Sequence, residues 1–198
     1  MNADVPSPPA RCDARERARI VREARQLGVP ADYARVRRLK LVSEPQHLVH
    51  VGEDIHARAQ WLAAPAARAF ARMRDAAAGA GVELQLVSAF RSAAYQLGIL
   101  QRKLERGQRI ENILRVSAAP GYSEHHSGRV VDLSTPGYAP LEEEFEHSPA
   151  FAWLREHAGR FGFALSYPRD NVHAIAYEPW HWCWHRNARR RDTDVAKA

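Results

Sequence analysis

The chain has 198 residues, 45% of them hydrophobic and 26% charged, which suits one ordinary domain of about 150 residues plus an extension. No run approaches the ~20 apolar residues of a membrane-spanning helix, so no membrane span is expected. The formal net charge is +6, but much of the excess lies between Arg11 and Arg25 and between Arg186 and Arg191, where solvated basic faces explain it and no nucleic-acid partner is expected.

Taken in order, Met1 to Pro9 is Pro-rich and expected to be disordered, and it has neither the basic start nor the apolar run of an export signal. Cys12 and Cys183 make a poor disulfide framework. Reduced thiols without an export signal point to the cytoplasm, or to the periplasm if a signal has been removed from this sequence. Asp13 is placed to cap a helix running to about Leu27, with Ile20, Val21, Ala24 and Leu27 on one apolar side and Gly28 and Pro30 as stop signals. A second short helix is expected over 31–39 and a short strand over 47–52. His47, His50 and His56 match no closed tetrahedral metal set and read as surface or packing residues.

Pro65 opens a long helix to about Ala78 that should pack across a sheet. Val82 to Phe90 reads as a strand feeding a helix capped by Ser92 and ending near Leu104. Arg91 sits at that junction, where a rigid sheet can fix a guanidinium for a carboxylate, and Gln96 lies on the helix near it. Residues 104–113 read as polar, and 116–122 as a loop over a cleft. Val130 to Leu133 reads as a strand, Thr135-Pro136-Gly137 as a turn, and Ser148 to Gly159 as a helix whose His157 sits at core spacing. Phe161 to Ser166 returns as a strand before a loop over 168–173.

The chemistry concentrates in Ser123 to Asp132 and in Glu178 to Trp182. Together they offer two imidazoles, one carboxylate placed to ligate and one carboxylate left over, the inventory of a catalytic zinc site with an open fourth position. The assignment is His125, Asp132 and His181 as ligands and Glu178 as general base. Gly128 allows a tight turn between His125 and Asp132, and Pro179 with the tryptophans after it favours extended structure, so His181 can face Asp132 from a neighbouring strand. His126, beside His125, should point away from the ion.

Ser-x-His-x-x-Gly-x-x-x-Asp at Ser123 to Asp132, Glu-Pro-Trp-His-Trp at Glu178 to Trp182, and Ser88-Ala89-Phe90-Arg91-Ser92 with Gln96 together resemble the zinc D-alanyl-D-alanine carboxypeptidases of the VanY type. The resemblance covers roughly residues 60–185, with Val130 standing where the family usually has Ala. It implies an α+β fold of the hedgehog/DD-peptidase kind, a small antiparallel sheet bearing Zn2+ with helices packed behind it. It also implies that Arg91, Gln96 and Ser123 surround a terminal D-alanine, with Arg91 assisting catalysis, and that Tyr167 and Trp180 meet the substrate. The chain then divides into an extension over 1–45, a zinc carboxypeptidase domain over 46–186 and a basic tail over 187–198. The implied activity is removal of the terminal D-alanine from peptidoglycan stem peptides or muropeptides, D,D- or L,D-specific, in cell-wall turnover or recycling. A lysin-type endopeptidase and a non-catalytic zinc-binding module are the alternatives, and no oligomeric state is specified.

Overall fold

The computed structural model describes residues 6–186. Helix α1 (Ala14–Gln26) begins where Asp13 accepts a hydrogen bond from the Glu16 amide, and Gly28 beyond its end has φ +102°. The second helix is shorter than expected: α2 is only Tyr33–Val36, with no side-chain cap, and the chain turns left-handed at Arg38, φ +50°. Strands β1 (Leu48–Glu53) and β2 (Ala59–Ala63) form an antiparallel hairpin, of which only β1 is legible from the sequence. Helix α3 (Ala64–Gly79) follows with Pro65 in its first turn.

The main sheet contains β3 (Gln85–Ser88), β4 (Val130–Ser134), β5 (Phe163–Leu165) and β6 (His181–Trp184), in the order β3-β4-β6-β5, with every neighbouring pair antiparallel. β3 is shorter than the 82–90 stretch suggests. The amides of Ala89 and Phe90 leave the sheet to bond the Gln60 side chain and the Trp61 carbonyl, which ties the strand's exit to β2. Helix α4 (Ala93–Glu105) starts at Ser92, whose hydroxyl accepts from the Tyr95 amide. A short helix α5 (Ile110–Ile113) stands where only polar loop is expected, because Ile113 and Leu114 are buried. Helix α6 (Pro149–His157) is capped by Ser148.

Alternation along the strands sorts the two faces of the sheet. Val131, Leu133, Leu86, Trp182 and Phe163 join Phe70 and Met73 of α3 in the main core, while Asp132 and His181 project from the opposite face. Each fully buried side chain of the Phe70 kind contributes about 1.5–3 kcal/mol, so the apolar face anchors the register that sets the polar one. The amino-terminal extension shares a second core with α4 and the segment that follows α5: Ile20, Ala24, Val29 and Tyr33 pack on Ala93, Leu97 and Leu100 of α4 and on Leu114 and Tyr122. His50 packs against Trp61 and His157 against Trp153, in keeping with packing roles. Cys12 and Cys183 are separate buried thiols. Met1 to Val5 and the tail over 187–198 lie outside the described residues. Among the described residues, no helix is long and apolar enough to cross a membrane.

Candidate active site

Asp132 on β4 and His181 on β6 are directly paired across the sheet. His125 comes from a 3-10 turn, Glu124–Ser127, rather than from the extended segment expected, and Gly128 ends that turn in the left-handed region at φ +62°. A side chain at 128 would be strained there, and its Cβ would come within 3.0 Å of the Ala63 amide nitrogen. The turn folds His125 back over the sheet, so that one ligand atom from each of His125, Asp132 and His181 lies within 4.8 Å of the others, all three residues being buried.

The hydrogen bonds around the imidazoles set which nitrogens face inward. His125 Nδ1 lies 2.6 Å from the Ala89 carbonyl oxygen, which can only accept, so this nitrogen donates and Nε2 turns a lone pair toward Asp132 Oδ2, 3.1 Å away. His181 Nε2 meets Glu124 Oε2 at 3.1 Å, while its Nδ1 faces Asp132 Oδ1 at 3.1 Å and Glu178 Oε2 at 3.4 Å. With Nδ1 of His125 and Nε2 of His181 holding the protons, two nitrogen lone pairs and a carboxylate converge on one point. That arrangement is repulsive unless a cation or a proton stands between them, and a mixed nitrogen and oxygen donor set of this kind suits a borderline divalent ion such as zinc.

The electrostatics carry the same message. Burial opposes protonation of His181, yet its hydrogen bonds to Asp132 and Glu124 outweigh that and push its pKa up to about 10. Burial would raise Asp132, but His125 and His181 hold it well below the usual carboxylate range. His125 is lowered, chiefly by burial. Burial would likewise raise Glu124, but its hydrogen bond to His181 holds it down to about 2.

Residues 59–187 match the family model VanY, described as D-alanyl-D-alanine carboxypeptidase. The chain belongs to the VanY family. YodJ of Bacillus subtilis (strain 168) is 34% identical over 120 residues, covering 59% of this chain and 43% of YodJ, so the chain spans less than half the length of that curated relative. Among solved structures, the LdcB LD-carboxypeptidase superposes with a TM-score of 0.64 at 31% identity, over 71% of this chain and 69% of LdcB. The vancomycin-resistance D,D-pentapeptidase VanY in complex with Zn(II) superposes with a TM-score of 0.54 at 26% identity, over 71% of this chain and 82% of that one.

In this VanY-family fold a cavity of about 390 Å3 opens over the cluster, lined by Arg91, Ser123, Tyr167, Glu178 and Trp180 together with the three clustered residues. Glu178 stands beside His181, and burial, reinforced by the charges of Asp132 and Glu124 against the pull of His181 and Arg91, pushes it up to about 7. That is the range in which a carboxylate exchanges protons at neutral pH. Tyr167 packs its ring 4.7 Å from that of His181.

Arg91 presents Nη1 to Gln96 Oε1 at 2.8 Å and Nη2 at 3.9 Å from Asp132 Oδ2. Gln96 is buried and outside the cavity lining. Its amide donates to Ser117 Oγ at 2.8 Å and to the Ala118 carbonyl at 3.0 Å, so all its polar capacity toward the cleft goes into holding Arg91 and the loop. The structure thus sets Gln96 behind the arginine and not at the cavity surface.

Glu124, which the sequence does not single out, is the carboxylate that orients His181, and no local pattern marks it because its partner lies 57 residues away. His126 points away from the cluster as expected. Its Nδ1 donates to the Arg91 carbonyl at 2.6 Å and its Nε2 accepts from the Gly121 amide at 3.1 Å, and burial pushes its pKa down to about 3.

Proposed function

We propose that this chain is a zinc metallocarboxypeptidase that removes the terminal D-alanine from peptidoglycan stem peptides. One observation carries the reading: two imidazole lone pairs and the Asp132 carboxylate converge in the same cavity that holds the guanidinium of Arg91 and the carboxylate of Glu178. His125, Asp132 and His181 would hold a zinc ion, which would supply Lewis acidity toward the scissile carbonyl and a bound water.

The chain's own residues do the rest. Arg91, braced by Gln96, pairs with the free terminal carboxylate and so restricts the reaction to the last peptide bond. Glu178 takes the proton from the attacking water and returns it to the leaving nitrogen of D-alanine. Arg91 also steadies negative charge as it develops on the carbonyl oxygen. Tyr167 and Trp180 wall the cavity and limit water around the reacting bond. Ser123, also in the wall, offers a hydroxyl to the bound end of the peptide.

Between the two specificities, L,D cleavage of a tetrapeptide stem is supported by the closer likeness to the LdcB LD-carboxypeptidase than to the D,D-pentapeptidase. The test is mass spectrometry of products from tetrapeptide and pentapeptide stems incubated with the zinc-loaded chain, with and without chelator. Chelator-sensitive release of D-alanine is expected. Absence of release from both stems overturns the reading.

A further inference from the structure

Helix α4 turns one face to the cleft. Gln96, Ile99 and Lys103 follow one another at helical spacing, and Ile99 and Lys103 line the same cavity as Arg91 and Glu178. Lys103 is half-buried, and among the described residues its ammonium makes no hydrogen bond or ion pair. Glu142 and Glu143 line the same cavity, and Glu143 is paired with Arg169 at 3.1 Å. Arg91 is committed to the terminal carboxylate in the reading above, which leaves Lys103 as a cation in the substrate cleft without an assigned anion.

We infer that Lys103 forms a second anion subsite, which takes a carboxylate on a side chain of the peptide upstream of the scissile bond. Seven residues of helix separate Gln96, the brace of Arg91, from Lys103 by about 10 Å. An extended peptide covers that distance in about three residues, and the flexible lysine stem lets the ammonium meet a carboxylate anywhere within that reach. The anion is therefore borne by one of the last few residues of the stem. Lys103 has its proton affinity lowered, first by burial and then by the charge of Arg91, with Glu178 acting in the opposite sense. Two neighbouring cations in a partly desolvated cleft gain from two carboxylates on one ligand, so the substrate class is a peptide with both a free terminus and an acidic side chain.

The subsite rests on the carboxypeptidase reading, and its test separates the two. Two stem peptides ending in D-alanine carry diaminopimelate in one case and lysine in the other at the residue before it, a difference of one carboxylate. Turnover and calorimetric affinity are measured for both on the zinc-loaded full chain. The wild type is expected to favour the diaminopimelate peptide about tenfold, the scale of one charge-assisted contact. Lys103→Met is expected to bring the ratio between the two peptides to about one, and Lys103→Arg to keep the preference. Equal handling of both peptides by the wild type, or a preference that survives in Lys103→Met, overturns the subsite. An affinity difference without turnover of either peptide supports the subsite and overturns the carboxypeptidase reading instead.

Discussion

His126 donates a hydrogen bond from Nδ1 to the main-chain carbonyl of Arg91 at 2.6 Å, and its other ring nitrogen receives the amide of Gly121. The histidine next to His125 thus fastens the backbone of Arg91, the proposed carboxylate-binding residue, to the loop that forms the cavity wall. Replacing it with Phe fills similar volume but leaves a buried carbonyl and a buried amide unpaired. His126→Phe is expected to destabilise the chain by about 2–3 kcal/mol and to raise KM more than it lowers kcat, because Arg91 loses its placement and not its charge. Denaturant unfolding and steady-state kinetics on a stem peptide check both. A stable variant with unchanged KM contradicts the positioning role.

Glu178 lies within 3.4 Å of His181 but outside the set of three residues whose ligand atoms converge. Glu178→Gln keeps shape and hydrogen bonding while removing the ability to accept a proton. Zinc content, read by mass spectrometry of the metal, is expected to stay at one per chain. The value of kcat is expected to fall by about 10²–10⁴-fold, the usual scale for loss of a general base. Loss of zinc together with activity would make Glu178 a ligand instead.

Arg91 offers a planar fork whose one edge is spent on Gln96. Lysine at this position keeps the charge but cannot pair with Gln96 and a carboxylate in the same plane. Arg91→Lys is expected to lower kcat/KM by about 10–100-fold on peptides with a free terminus. Turnover of peptides with an amidated terminus is expected to be poor in the wild type and to change little in the variant, so the ratio between the two substrates contracts. Measuring that ratio separates carboxylate recognition from a general loss of fold.

Much of this site was legible because it is written in local patterns. The Gly128 turn, the alternation through Val130 to Leu133 and the extended run after Pro179 each specify where a side chain goes, and the sheet pairs Asp132 with His181 as that alternation suggests. What escaped depends on partners far away in sequence. β2 is a strand because it pairs with β1 and receives the amide of Phe90, and α5 forms because Ile113 and Leu114 are buried beside the extension. Gln96 could be placed near Arg91 from helical spacing, but its bonds to Ser117 and Ala118 depend on a loop twenty residues on and left no local trace. Glu124 likewise takes its role from His181, 57 residues away.

The most distant dependence of this kind gives a further expectation. Glu44 is buried at the end of the extension, and its two carboxylate oxygens receive the amides of Cys12 at 2.6 Å and Ala93 at 2.7 Å. Ala93 is the first residue of α4, where a helix has free amides and favours negative charge. The same extension is fastened to the cleft loop by the Tyr33 hydroxyl, which accepts the Ala119 amide, and by the Val42 amide, which donates to the Gly121 carbonyl. Residues 12–45 lie outside the family match, yet they hold both the start of the Arg91 helix and one wall of the cavity. Glu44→Ala strands two buried amides and is expected to cost about 2–4 kcal/mol. Glu44→Gln, which retains one acceptor, should cost less. If the extension acts only as a stabilising cover, both variants shift the unfolding midpoint and leave KM alone. If it positions the cleft, KM for the stem peptide rises in the same order as the loss of stability, and the bonds from Glu44 to α4 and from Tyr33 to the loop require the second outcome.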